Sequence, residues 1–252
     1  MKINILGSGG FKTTPQPTCL CEVCVAARTD RKLSRSGPSF YLQDFDILID
    51  TPTESKCQLD KLGHLPKNII FSHWHPDHTE GYRVLESYKT APDVYVQTES
   101  KVLDRVPGIQ FLEKIEKIKL LDWVKDQKIK NENHSISLIK INEETPVYAF
   151  LISDGKKQAL ICPDHAKHLL NIDHNIKIDL LIMNIGDMND YSGRVTTFDD
   201  NINIINKLQP KRTVLTHVEE HFCITEEKRK QLELKYKQYS LEIASDNQEV
   251  EV

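Results

Sequence analysis

The 252-residue chain has no apolar run approaching the ~20 residues needed to span a bilayer, which excludes a transmembrane helix. Its opening stretch, MKINILGSGG, is too briefly apolar for a secretory signal and reads as a strand entering a glycine turn. There is no repeat, no low-complexity tract and no linker rich in proline or glycine, so one domain over 1–252 is expected. A strong charge of one sign is also missing. The net charge of −4 argues against a broad nucleic-acid-binding surface, which would need a basic excess. What is present, 39% hydrophobic and 28% charged residues, suits a soluble globular protein with a sizeable core. The expected setting is the reducing cytoplasm. There the six cysteines are free thiols or metal ligands rather than a disulfide frame. Monomer and homodimer both stay open.

Apolar, β-branched runs bounded by turn residues predict strands at INIL, FYLQ, DILID, NIIFS, DVYVQT, SISLIKI, VYAFLIS, QALICPD, DLLIMNI, RTVLTH and LEIA. Helices are predicted at EGYRVLESY, TFDDNINIINKL and TEEKRKQLELKYKQ. Thr197 and Thr225 are placed as N-caps of the last two, because acidic residues follow each closely. Strands and helices alternate in both halves, which favours an α/β fold. The lysine-rich stretch 105–135 carries no clear pattern. The GSGG turn is not a dinucleotide fingerprint: the third glycine would fall at Lys12, and proline and cysteine follow instead of a helix.

The densest chemistry lies in FSHWHPDHTEG, residues 71–81. Imidazole nitrogens and carboxylate oxygens are the ligands that Zn²⁺, Mn²⁺ and Fe²⁺ accept. His73 and His75 can converge on one ion from a tight turn after the strand NIIF, and Asp77 and His78 then point to a neighbouring position. Pro76 stiffens the loop. Four ligand-type side chains in six positions suit two adjacent ions better than one, and a chance cluster of surface polar residues is a poor account of them.

HWHPDH resembles the HxHxDH motif of the metallo-β-lactamase-fold hydrolases. The resemblance implies a four-layer αββα sandwich with a dinuclear metal site at one edge of its two sheets. It also implies a bridging aspartate after a later strand, which Asp164 at the end of ALICPD matches, and a final histidine, which His217 at the end of RTVLTH matches. A second cluster, Cys19, Cys21 and Cys24 in PTCLCEVC, offers three thiolates to a structural Zn²⁺ that needs a fourth ligand from elsewhere. With the preceding ILGSGG it resembles the PhnP-like branch, whose fourth ligand follows shortly after the last active-site histidine. THVEEHFC offers His221, the better partner for thiolates, with Glu220 as the alternative and Cys223 as a weaker candidate. A small zinc loop near 15–28 is therefore expected. Cys57 and Cys162 are read as small core or near-core residues.

Two departures from the family bear on chemistry. Where it supplies a third histidine to the first metal, the aligned residue is Glu143, in IKINEET; His134, which precedes that strand, and no third ligand at all are the alternatives. Where it places a histidine near the leaving group, SGRVTTFDD has Arg194, which can offset phosphate charge but is a poor general acid. His64, His165, His168 and His174 are taken as surface or supporting residues, with His165 the one expected in the pocket.

The implied cofactors are two divalent ions, Zn or Mn or Fe, plus one structural Zn, with Asp164 bridging the pair and Asp77 ligating the second and orienting the attacking water. The expected activity is phosphodiester hydrolysis on a small phosphoester or cyclic phosphate. A lactone, thioester or carboxylic ester hydrolase and a metal-binding protein without turnover are the alternatives.

Overall fold

A computed structural model describes residues 1–123, 127–142, 146–172, 176–188 and 196–252. The first half of the chain supplies β1 (Lys2–Gly7), β2 (Ser39–Leu42), β3 (Ile47–Ile49), β4 (Asn68–Ile70), β5 (Asp93–Val96) and β6 (Lys119–Asp122). The second half supplies β7 (Lys128–Asn131), β8 (His134–Asn142), β9 (Val147–Ser153), β10 (Gln158–Cys162), β11 (Leu180–Asn184), β12 (Arg212–Thr216), β13 (Leu241–Ile243) and β14 (Gln248–Glu251). One sheet has the order β14-β1-β2-β3-β4-β5-β6, so the last strand returns to pair with the first; the other runs β13-β12-β11-β10-β9-β8-β7. Each sheet is antiparallel at one side and parallel at the other, with β3 to β6 and β10 to β13 as the parallel sets.

The apolar runs are continuous because both faces of the central strands are buried. Successive side chains point to opposite faces, so Ile47 and Ile49 enter the space between the sheets while Leu48 packs outward with Leu59, Leu85 and Ile109. In the other sheet Ile161 faces inward with Phe150 and Ile182, whereas Leu160 and Cys162 pack outward with Ile204 and Leu208. Three apolar layers of this kind need helices outside both sheets. Those helices are α1 (Glu22–Thr29), α2 (Ser55–Leu62), α3 (Pro76–Thr79), α4 (Val102–Arg105), α5 (Pro107–Lys114), α6 (Phe198–Leu208) and α7 (Glu226–Lys235). The result is the helix–sheet–sheet–helix sandwich the sequence led us to expect. No helix among the described residues is long and apolar enough to cross a membrane.

Thr197 caps α6 in a reciprocal box with Asp200, and the Thr225 hydroxyl accepts from the backbone N–H of Lys228 to cap α7. EGYRVLESY does not form an α-helix; Glu80–Ser87 is wound as a 3₁₀ helix after α3. The stretch 105–135 resolves into α5, β6 and β7. The two strands show no alternation in sequence because they are edge strands with no buried residue. The same weakness hid α2, whose buried face is Ser55, Gln58 and Leu59, and β14, where only Val250 is buried. Cys57 is a correction: it is exposed on α2, while Cys162 is buried as expected.

Candidate metal centre

The carboxyl ends of the parallel strands of both sheets meet at one edge, the place where loops from different strands converge. Asp50 follows β3, Ser72 and His73 follow β4, Asp164 follows β10, and His217 follows β12. Backbone bonds hold the two rims together, Val218 N–H donating to the Ser8 carbonyl at 2.9 Å and Tyr148 N–H to that of Ser72 at 3.1 Å. Asp50, His165 and His217 all have left-handed backbones, with φ of 63°, 57° and 57°. Such residues cost about 1–2 kcal/mol each and turn the side chain back over the strand end.

Two groups of ligand atoms result, each with its members within 4.8 Å of one another: His73, His75, Asp164 and His165, and beside them Asp77, His78 and His217. In the first, Asp164 Oδ2 lies 3.8 Å from His73 Nε2 and 3.9 Å from His75 Nδ1. In the second, Asp77 Oδ2 is 3.1 Å from His217 Nε2 and 3.4 Å from His78 Nε2. The predicted residues His73, His75, Asp77, His78, Asp164 and His217 are thus brought together. Glu143 and Arg194 lie outside the described residues. His134, the alternative to Glu143, sits at the start of β8 against the Phe45 ring, in neither group.

Do these donors suit cations? The Nε2 atoms of buried His73 and His78 have no hydrogen-bond partner among the described residues. An unpartnered buried nitrogen is costly unless something binds it. The opposite ring atom is occupied in each case: His78 Nδ1 pairs with Asp50 Oδ2 at 2.7 Å and His73 Nδ1 with Ser72 Oγ at 3.0 Å. With the carboxylate as acceptor, His78 Nδ1–H is the donor and Nε2 is directed into the site, the arrangement found behind metal-binding imidazoles. Asp50 was missed in the sequence. Fully buried, it also accepts from Ser72 N–H and Oγ–H, both at 2.7 Å, and only its position at the end of DILID hinted at a role.

The local field has the same sense. Burial opposes ionisation of Asp77, but His78 and His217 outweigh it and bring its carboxyl down to about 2. Burial likewise opposes the charging of His217, yet Asp164 and Asp77 push it up to about 10. Burial, with His78 and His75 beside them, holds His73 and His165 low against the pull of Asp164. Deep carboxylates draw positive charge onto His217 and His78, while His73 and His165 are kept neutral, and such a donor set fits two divalent ions.

The thiol loop has a corrected fourth member. Glu220 Oε1 lies 3.1 Å from Cys19 Sγ, 2.9 Å from Cys21 Sγ and 3.6 Å from Cys24 Sγ, making a group of three sulfurs and one carboxylate oxygen. Burial and the Glu220 carboxylate push the Cys21 thiol up, a conflict that a divalent ion among the four would remove. His221, favoured from sequence, is not there. The turn Glu220–Phe222 sends Glu220 towards the cysteines and His221 into the wall of the active-site cleft, its ring against Phe222.

That cleft, about 510 Å³, is lined by His75, Asp164 and His165 of the first group, Asp77 and His217 of the second, and by Phe11, Lys12, Glu219, His221 and Phe222. Gly10 of the GSGG turn abuts two of the lining residues: a Cβ there would collide with the His217 ring and lie 2.5 Å from a Glu219 carboxylate oxygen. Glu219, also unforeseen, accepts from the backbone N–H groups of Phe11 (3.0 Å) and Lys12 (2.7 Å) and stands 3.7 Å from His217 Nδ1.

Two back-to-back mixed sheets with ligand-bearing loops at one rim define the class. A family model for the beta-lactamase superfamily domain matches residues 45–218, and the chain belongs to that family. Among solved structures it is similar to a diphosphatase from the PhnP family, with a TM-score of 0.78 and 21% identity over 100% of this chain and 97% of that one. It is also similar to Zn²⁺-bound PqqB from Methylobacterium extorquens, with a TM-score of 0.77 and 15% identity over 100% of both chains. The short form of human tRNase Z gives a TM-score of 0.67 and 15% identity over 100% and 99%. At these identities the likeness is one of fold. No curated protein matches the sequence.

Proposed function

We propose that the protein is a metal-dependent phosphodiesterase acting on a small phosphoester or cyclic phosphate. The observation that carries this reading is Asp164. Its carboxylate belongs to the first ligand group, and its charge, burial aside, is the strongest influence on His217 of the second. Two adjacent ion positions, with Asp164 at one and its charge felt at the other, suit a phosphoryl group, which presents two free oxygens. The PhnP-family diphosphatase and tRNase Z, similar in fold, favour phosphorus over carbonyl as the electrophile. Divalent ions held there would supply Lewis acidity, polarising the phosphoryl group and lowering the pKa of a water.

The chain's own side chains do the rest. Asp77, held ionised between His78 and His217, is the carboxylate placed to orient an attacking water. Lys12 lines the cleft and offsets phosphate charge, the task also assigned to Arg194. Phe11 and Phe222 give an apolar wall for the unreactive part of the substrate. Among the described lining residues His221 is the one imidazole outside both groups, and it takes the role of proton donor to the leaving oxygen. A cleft of about 510 Å³ admits a small molecule.

The test is a panel of nitrophenyl phosphodiesters, lactones, thioesters and carboxylic esters, offered to Zn- and Mn-loaded protein and to Asp164→Ala. Diester hydrolysis by the loaded wild type and none by the variant is expected. Preferential ester hydrolysis moves the reading to a carbonyl electrophile, and metal uptake without turnover of any substrate moves it to a binding protein.

A further inference from the structure

The first ligand group raises a question about its own composition. Without His165, it holds two imidazoles and one carboxylate. His165 is adjacent to Asp164 in sequence, and an extended backbone would send the two side chains to opposite sides. The left-handed φ of 57° prevents this. Its backbone N–H donates to Asp164 Oδ1 at 2.7 Å, so that oxygen is engaged and Oδ2 is left facing the imidazoles.

His165 Nε2 lies 3.4 Å from Asp164 Oδ2, closer than His73 Nε2 at 3.8 Å or His75 Nδ1 at 3.9 Å. Four donors arranged tetrahedrally at about 2.0–2.1 Å from a Zn²⁺ stand about 3.3 Å apart. A hydrogen bond would be shorter, about 2.7–3.2 Å. The spacing therefore matches donors that share an ion better than a ring that supports Asp164 by hydrogen bonding. The ring also meets both partners, tilted against His75 with centroids 5.3 Å apart and edge-to-face with His73 at 5.8 Å.

We infer that His165 supplies the third imidazole of the first metal position, so that the position is completed by the residue that follows Asp164. This inference rests on the dinuclear reading above. It gives that position three neutral nitrogens and one carboxylate oxygen, a donor set that favours Zn²⁺ over oxygen-preferring ions.

The experiment measures metal binding directly. Zn²⁺ is titrated into the full chain against a chromophoric chelator, and the visible spectrum of the Co²⁺-substituted protein is recorded. The variants are His165→Asn, which tolerates a left-handed backbone, His165→Gly and Glu143→Gln. The expected result for His165→Asn is a loss of more than about 100-fold in Zn²⁺ affinity at one cleft position, beyond the 10–100-fold typical of a supporting residue. A changed Co²⁺ d–d band should accompany it. Free imidazole should restore affinity to His165→Gly, and Glu143→Gln should bind as wild type does. Wild-type affinity and spectrum in His165→Asn overturn the assignment, as does failure of imidazole rescue alongside loss of binding in Glu143→Gln. A wild-type chain that takes up no ion in the cleft overturns the functional reading together with it.

Discussion

Asp50 is the residue whose replacement tests most directly how the centre is held. Its buried carboxylate receives three donors: Ser72 N–H, Ser72 Oγ–H and the Nδ1–H of His78, each at 2.7 Å. Asp50→Ala would leave all three unpaired at about 1–3 kcal/mol each, on a left-handed backbone at φ 63° that is itself unfavourable. The sum rivals the ~5–15 kcal/mol that holds a whole domain together, so that variant should not fold and would teach little. Asp50→Asn is the informative change. Asparagine tolerates the left-handed backbone, and its carbonyl can still accept from Ser72 N–H. Its amide then faces His78, and a donor there drives the imidazole proton from Nδ1 to Nε2, the atom that must offer a lone pair to the ion. We expect Zn²⁺ affinity to fall about 10–100-fold, equivalent to about 1.4–2.8 kcal/mol. In saturating metal the unfolding temperature should fall by roughly 3–10 °C. A chelator-competition titration and thermal unfolding with and without metal measure both. An Asp50→Asn protein that is stably folded and binds Zn²⁺ as tightly as wild type refutes the reasoning.

In the thiol loop, Glu220→Ala should remove one zinc per chain by elemental analysis and lower the unfolding temperature, while His221→Ala leaves the zinc count unchanged and slows substrates with poor leaving groups more than nitrophenyl esters. Gly10→Ala should lower activity at least about tenfold while the far-ultraviolet circular dichroism stays native, because the new methyl displaces His217 in the cleft and no core layer. Treatment with EDTA should abolish hydrolysis and lower stability, and Zn²⁺ or Mn²⁺ at about a thousand times its Kd should return about 4 kcal/mol, read by urea unfolding. Phe150→Ala, at a fully buried ring between the sheets, should cost about 3–5 kcal/mol in the same assay.

The readable parts of this protein are those whose physics is local. Alternation and β-branched runs follow from the two-residue period of a strand, so eleven strand-forming runs were legible, and the Thr197 and Thr225 caps act within three residues of themselves. HWHPDH and the cysteine triplet declare their chemistry because their ligands are neighbours in sequence. What the chain order leaves open is decided by contact between distant segments. Asp50 and His78 are 28 positions apart and meet because β3 and β4 are parallel neighbours. Whether Glu220 or His221 reaches the thiols is a one-residue choice, and the direction of a single 3₁₀ turn against a loop some 200 positions away makes it. His165 was expected to line the pocket in a supporting role, and a left-handed backbone turns its ring onto the same side as Asp164. Burial and periodicity set where strands form; only packing one sheet on the other determines which strand-end side chains share a cation.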